Sequence, residues 1–463
     1  MVFGLLPGLS GLAALAVLIP FVYKMEPFQG LAFLLTCHAV VYTGGSLTAI
    51  LLGIPGSPPN AATIVDGVPM RRKGLGGVAV GAALGASGLG GIFGALVLIS
   101  LLPILQSVVM LFGPADAFLL SLLGLTFIAV MGSGSAWLGL FAGGLGLFMS
   151  FIGDEPISGV PRYWFGSEYL LDGIRIIPVA LGLFAIPELL SLMAGRELSQ
   201  TKGDFSGHQA LQGLREVLKR PWLAIRSSAI GAAVGIVPGA GGETAPFVAY
   251  ALAKQWDRDP SRYGTGVVEG VIAPEASNNA KEGGALVPTL AFGIPGSSGM
   301  ALLLGAFLIL GLQPGPDFLR EHMDISVGLV IVLAVANLLA AALMILLAPM
   351  LTRVLSVPQS YLVPILLTLV VLGAYSTAND MRDVLALFIM GVMGVVFVRF
   401  GINRAPFLLA FVLGPSVERY LQVSLNIYGG EFLLRPTAIV IIGIAVLAFA
   451  APLVRQRLQR RKA

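Results

Sequence analysis

The stretch from Val327 to Leu347 carries no charged residue and approaches the length needed to cross a bilayer as a helix. A helix rises 1.5 Å per residue, so about 20 apolar residues span the roughly 30 Å hydrocarbon core. A second run, Thr437–Ala451, needs its flanks to complete a crossing. Such runs are typical of this chain: of 463 residues, 56% are hydrophobic and only 11% charged. A soluble domain carries roughly 25% charged residues because it must face water. The missing charge implies that most of the surface faces lipid. The expected fold class is an all-α polytopic membrane protein.

In hydrocarbon every backbone N–H and C=O must be satisfied within the protein, so irregular backbone is confined to the bundle interior or to cavity walls. The chain contains 60 glycines and 29 prolines. Helix breakers in that number predict broken helices or re-entrant hairpins at the centre of the fold. The single cysteine, Cys37, excludes an intramolecular disulfide, and the scattered His38, His208 and His322 form no metal-ligand pattern. No metal and no organic cofactor are expected. The formal charge of +4 is spread over connecting segments, which argues against a nucleic-acid partner.

Apolar runs predict crossings or half-crossings at 2–22, 30–54, 77–112, 116–152, 173–194, 222–253, 265–312, 326–351, 357–376, 382–400, 404–428 and 436–454. Lys and Arg in short connecting segments mark the cytoplasmic side. This places the tail 455–463, the polar linker 196–221 and the cluster Arg71-Arg72-Lys73 inside, and the acidic Asp317–Asp324 segment outside.

The sequence also repeats itself. Gly4-Leu5-Leu6-Pro7-Gly8-Leu9-Ser10-Gly11 shares G-x-x-P-G-x-x-G with Gly235-Ile236-Val237-Pro238-Gly239-Ala240-Gly241-Gly242. Gly53-Ile54-Pro55-Gly56-Ser57 recurs letter for letter as Gly293-Ile294-Pro295-Gly296-Ser297. A weaker third set aligns Gly143, Gly146, Gly153 and Gly166 with Gly391, Gly394, Gly401 and Gly414. Motifs in the same order predict two tandem repeats, 1–195 and 222–454, with a binding site near the midplane. The basic cluster after the first GIPGS and the acidic segment after the second argue for inversion, whereas a linker and a tail on the same side argue against it.

Proline removes an amide and glycine opens the backbone, so each GIPGS segment breaks its helix and frees peptide groups. A half-helix restarting after the break presents unsatisfied amides that favour an anion. The candidate binding groups are therefore Gly53, Pro55, Gly56, Ser57, Gly293, Pro295, Gly296 and Ser297. The neighbouring polar residues Ser46, Thr48, Asn60, Asn278, Asn279 and Ser298 join them. Pro7, Gly8, Pro238 and Gly239 are expected to mark further breaks. Ionisable residues in apolar surroundings are functional suspects; Asp66, Glu243 and Glu275 are the candidates for ion coupling. His38 reads as a packed neutral residue, and Lys281 and Glu282 as a mutually neutralising pair. Gly85, Gly88, Gly91 and Gly94 read as helix-packing positions.

At these motifs a family resemblance becomes specific. The run Glu269–Ala280, continuing through Gly293–Ser297 to Gln313-Pro314-Gly315-Pro316, resembles the large membrane subunit of the tripartite tricarboxylate transporters, the TctA type. Tyr42–Leu52, Gly53–Ser57 and Asp66-Gly67 resemble its first-half signature, and the likeness runs over nearly the whole chain. The resemblance implies a multi-pass permease of the bacterial inner membrane, driven by a sodium or proton gradient and importing small carboxylates. It also implies two partners, a small TctB-type membrane subunit and a TctC-type periplasmic solute-binding protein. Lys281, Glu282 and Glu243 depart from the small or apolar residues usual in that family. The short segment before Pro7 suggests a late-assigned start or a truncated chain.

A passive anion channel is the alternative, and would carry rings of charge rather than isolated sites. No nucleophile–base pair, H-E-x-x-H helix or nucleotide loop is evident, so an enzyme is not expected.

Overall fold

In the computed structural model, residues 2–5, 11–109, 112–131, 136–155, 157–194, 207–238, 243–354, 359–376, 378–443 and 445–447 are described. Pro7, Gly8, Gly239 and the tail 455–463 lie outside them. The apolar runs become helices in chain order. α1 (Gly11–Val22) and α2 (Pro27–Leu51) precede a break, after which come α3 (Ala61–Arg72) and the long α4 (Gly76–Val109). α5 (Pro114–Met131) and α6 (Ala136–Ser150) lead into a loop with a small hairpin, Gly153–Asp154 against Pro161–Arg162. α7 (Ile176–Met193) follows. The remainder comprises α8 (Gly207–Leu218), α9 (Pro221–Ile236), α10 (Ala245–Gln255), α11 (Glu269–Phe292), α12 (Ser298–Ile309), α13 (Met323–Val354), α14 (Gln359–Ser376), α15 (Met381–Arg399) and α16 (Arg404–Tyr428).

Among the described residues, α2, α4, α7, α13 and α15 are long and apolar enough to cross a membrane alone. A sixth span arises if α16 and its continuation, which meets the segment Pro436–Leu447 at 69°, count as one. The expected regions 116–152, 222–253 and 265–312 each divide into two helices. Glycine and proline cause the last two divisions. α9 ends at Ile236, just before Pro238, and α11 ends where Gly293 turns left-handed. Proline also starts helices: Pro27 and Pro221 occupy first-turn positions, where a missing amide costs nothing. Asn403 and Asp380 cap α16 and α15 by accepting from Ala405 and Arg382 amides at 3.0 and 2.8 Å.

α11 is the axis of the bundle; every residue from Gly270 to Ala291 is buried. Its neighbours approach closely because glycine faces it. Gly90 and Gly94 of α4 lie on Ala276 and Ala280, and Gly231 of α9 lies on Ser277. The glycine ladder of α4 does what its spacing predicted: Gly85 meets Leu214, Gly88 meets Ala341, and Gly91 meets Asn337.

The described part of the polar linker 196–221 is mostly α8, and it is packed onto the bundle. Its Ala210, Gly213 and Val217, spaced three and four apart, are buried against α4. Gln209 bridges the Gly77 amide and the Gly74 carbonyl, both at 3.2 Å. At one end of the molecule, Glu155 ties down the hairpin loop. Hydrogen bonds from Ser158, helped by Gln422, hold its carboxyl down to about 2.

Candidate functional site

The two GIPGS segments take the same local shape. Gly53 and Gly293 adopt φ of +74° and +64°, conformations that only glycine adopts freely. The next amide reaches six residues back in both: Ile54 to Thr48 O at 3.4 Å and Ile294 to Pro288 O at 3.2 Å. Ser57 and Ser297 are both extended, with φ of −146° and −150°. Each loop then folds back onto the helix it left. A Cβ on Gly56 would stand 2.5 Å from Gly45 Cα, and one on Gly296 would stand 2.6 Å from Ala285 Cα. Both are breaks at which the chain folds back, rather than simple kinks.

The contacts His38–Glu282, Thr43–Asn279 and Ser46–Glu275 show α2 and α11 running antiparallel. Each half-helix restarts beside that seam: Thr63 meets Glu275, and Gly299 packs on the His38 ring. α3 and α12 therefore leave the centre in opposite directions. Both have 12 residues, or about 18 Å, which is roughly half the hydrocarbon thickness. α3 ends at the basic Arg71-Arg72-Lys73, whereas α12 ends near Gln313.

Where the two restarts meet lies a cavity of about 270 Å³. Tyr42, Ser57, Pro58, Pro59, Glu243 and Ser298 line it from one side, with Phe184, Glu188 and residues 401–404 opposite. Three helix starts point at it. Ser57 leads into the turn before α3, Ser298 opens α12 behind its Ser297 cap, and Asn403-Arg404 opens α16. Each start carries roughly half a positive charge within its first turn. Arg404 adds a full one. Its guanidinium is 3.1 Å from Leu183 O and 3.4 Å from Glu188, and lies over the Phe184 ring at 5.0 Å. Leu183 belongs to a π-type wide turn, Leu181–Ala185, a distortion frequent at functional sites. The Ser57 hydroxyl is buried and has no hydrogen-bond partner. A larger cavity of about 840 Å³ opens among Asp154, Asp172, Arg175 and Gln313. None of its lining residues belongs to either break, so the smaller one is the candidate site.

The α2–α11 seam beside the cavity is polar and buried throughout. Glu275 accepts from Ser46 at 2.6 Å, Thr63 at 2.5 Å and Ser87 at 3.1 Å. Asn60 braces Ser46 at 3.2 Å and the Tyr42 carbonyl at 3.0 Å. Asn279 donates to Thr43 and to Asn337 at 2.9 and 2.5 Å. Further along, Glu282 lies 3.2 Å from His38 and 3.5 Å from Lys281, whose ammonium sits 3.9 Å over the Tyr42 ring.

Of the fourteen residues proposed from sequence as binding groups, Ser57 and Ser298 line the cavity. Gly53, Pro55, Gly56, Gly293, Pro295 and Gly296 shape its loops. Ser297 is spent as a helix cap, accepting from Met300 N at 3.3 Å. Thr48 donates to the Gly45 carbonyl at 2.8 Å. Ser46, Asn60 and Asn279 face the seam, and both side-chain ends of buried Asn278 are unpartnered.

Among the coupling candidates, Glu243 lines the cavity and Glu275 anchors the seam. Asp66 is different. It accepts from the Gly264, Gly266 and Val267 amides at 2.7–3.0 Å and from Tyr250 at 2.8 Å. Its acceptors are taken, so it clamps a loop rather than sensing an ion. Sequence reasoning missed Arg404, although Asn403-Arg404 stands between two apolar runs as a capped helix start.

A model of the tripartite tricarboxylate transporter TctA family matches residues 1–409. An uncharacterized 52.8 kDa protein in the TAR-I ttuC' 3' region of Agrobacterium vitis is 32% identical over 456 residues, covering 96% of this chain and 90% of that protein. An uncharacterized protein in the TAR-II ttuC' 3' region of the same organism is 34% identical over 219 residues, covering 47% of this chain and 90% of that protein. No solved structure matches. The family match spans both GIPGS loops and Arg404, and the chain belongs to the tripartite tricarboxylate transporter TctA family, as a multi-pass membrane component of a transporter.

Proposed function

We propose that this chain is the permease subunit of an ion-gradient-driven tripartite transporter of the bacterial inner membrane, importing small carboxylates. A TctC-type periplasmic protein delivers the solute, and a TctB-type small membrane subunit completes the complex. The observation that carries this reading is the cavity at which three helix starts, the Arg404 guanidinium and the unpartnered Ser57 hydroxyl converge. Helix-start amides, a hydroxyl and a guanidinium are donors that suit an anion with several carboxylates, while Glu188, paired with Arg404, and Glu243 place acidic groups on the same walls.

The antiparallel α2 and α11, each followed by the same fold-back and a half-helix of equal length, support two inverted repeats, 1–195 and 222–454. The linker 196–221 then lies on the cytoplasmic side with Arg71–Lys73. Sodium or protons supply the driving force, and Glu243 and Glu275 are the acidic groups placed to respond to it.

Uptake of labelled citrate into proteoliposomes holding the assembled complex tests the reading. Arg404→Gln removes a charge-assisted contact of about 1.5–3 kcal/mol, so uptake is expected to fall roughly 10- to 100-fold. Parental uptake should saturate and collapse with the ion gradients. Undiminished uptake by Arg404→Gln would refute the site, and non-saturating flux that ignores both gradients would mark a passive anion channel.

A further inference from the structure

We propose that His38 is a proton-binding site coupled to the cavity, so that the transported anion and one proton bind together. The inference rests on the reading of that cavity as a carboxylate site.

His38 is fully buried, and Lys281 and Glu282 are each 1% exposed. Glu282 sits between the other two, at ion-pair distance from both. Neither imidazole nitrogen and neither Glu282 oxygen has a hydrogen bond of acceptable geometry. The trio forms no closed hydrogen-bonded network. Tyr42 is its partition from the cavity. One edge of the ring meets the imidazole with centroids 5.2 Å apart, its face carries the Lys281 ammonium, and the same residue lines the cavity. Gly299, next to cavity-lining Ser298, packs directly on the imidazole, leaving no room for a side chain. The start of α12 therefore touches both the anion's space and His38.

The groups around His38 determine what a proton does there. From α2 come Tyr42 and the neighbouring Cys37; from α11 come Glu282 and Lys281, with Glu275 two turns away. Glu243 lines the cavity together with Tyr42. Gly11 of α1 and Gly299 of α12 pack on the imidazole. With neutral imidazole, Lys281 and Glu282 cancel. A proton on His38 adds one positive charge about a ring's width from the cavity, whose wall also carries Glu243. Attraction across that distance is worth on the order of tenfold in affinity or more where water is excluded. Linkage makes the effect reciprocal: the anion favours the proton as much as the proton favours the anion. Histidine is the side chain whose charge changes near neutral pH. The step forms one N–H bond, with a proton taken from the bathing solution, and breaks no bond in the anion.

The test is calorimetric titration of citrate into the full chain in nanodiscs, in two buffers of different ionisation enthalpy, at a pH where citrate is fully ionised. The parent should take up a substantial fraction of one proton per citrate bound. His38→Gln should bind citrate with no proton uptake and an affinity that is flat with pH. A second measurement covers a variant that fails to fold. In His208→Gln/His322→Gln protein, His38 is the sole histidine, and its ¹⁵N signals should move toward imidazolium when citrate is added. Citrate binding without proton uptake, uptake retained in His38→Gln, or ¹⁵N signals that ignore citrate would overturn the inference while leaving the anion site standing. Failure of both citrate and succinate to bind the parent would remove the site and this inference together.

Discussion

Replacing Lys281 alone by methionine should cost the folded protein about 3–5 kcal/mol, while replacing Lys281 and Glu282 together by Met and Leu should cost far less. Both residues lie inside α11, where no described residue between Gly270 and Ala291 reaches the surface. Removing the ammonium leaves a carboxylate with His38 alone in a dry interior. Desolvation of that carboxylate is then uncompensated, and this penalty is what the single change exposes. The double change removes both charges and substitutes side chains of similar bulk, a class of replacement that is often neutral or stabilising. Thermal loss of the monodisperse protein in detergent provides the measurement. The order expected is parent, or double variant, above the single variant by many degrees. A double variant less stable than Lys281→Met would show that the pair is not the coupled unit described above.

Asp66→Ala should be the next most damaging change, at about 2–4 kcal/mol. Asp66 accepts from three amides in the 264–267 segment and from Tyr250, and hydrogen bonds to a charged acceptor are each worth about 1.5–3 kcal/mol. The total is discounted because the segment it grips is partly exposed and water can replace some donors. Arg262, two residues before that segment, has a side chain 45% exposed, so limited trypsin digestion reports the segment's release directly. Cleavage at Arg262 should accelerate severalfold or more in Asp66→Ala and less in Asp66→Asn, which keeps one acceptor oxygen. Folded Asp66→Asn should retain gradient-dependent uptake. Loss of coupling in a variant with unchanged proteolysis would return Asp66 to the ion pathway.

Apolar runs and helix breakers are local signals, and they made the helices and both GIPGS breaks legible in the sequence. Gly53 and Gly293 are expected at the breaks, and there they turn left-handed. What a loop faces is a tertiary property. Ser46 and Thr48 stand before the first break just as a binding group would. Yet helix phase turns Ser46 toward Glu275 on α11, and Thr48 bonds its own helix. Asp66 looked like an isolated charge because its partners lie some 200 positions along the chain and are mostly backbone amides, which leave no trace in residue type. Arg404 was overlooked for the converse reason. At a helix start between apolar runs it resembles an ordinary interfacial residue, until α16 is seen to point that start at Ser57 and Ser298. The grouping of His38 with Lys281 and Glu282 depends on the antiparallel pairing of α2 and α11, which periodicity alone does not specify.

The most direct measurement is substrate protection of single cysteines at the two restarts. In a Cys37→Ser background, Ser57→Cys and Ser298→Cys are labelled in membranes with a small charged thiol reagent, with and without citrate. Citrate should slow labelling at both positions, because one anion occupies the space between them. It should leave a solvent-exposed control away from the cavity, such as Lys219→Cys, unchanged. Protection at neither position, under conditions where citrate is taken up, would place the translocated anion somewhere other than between the two GIPGS segments.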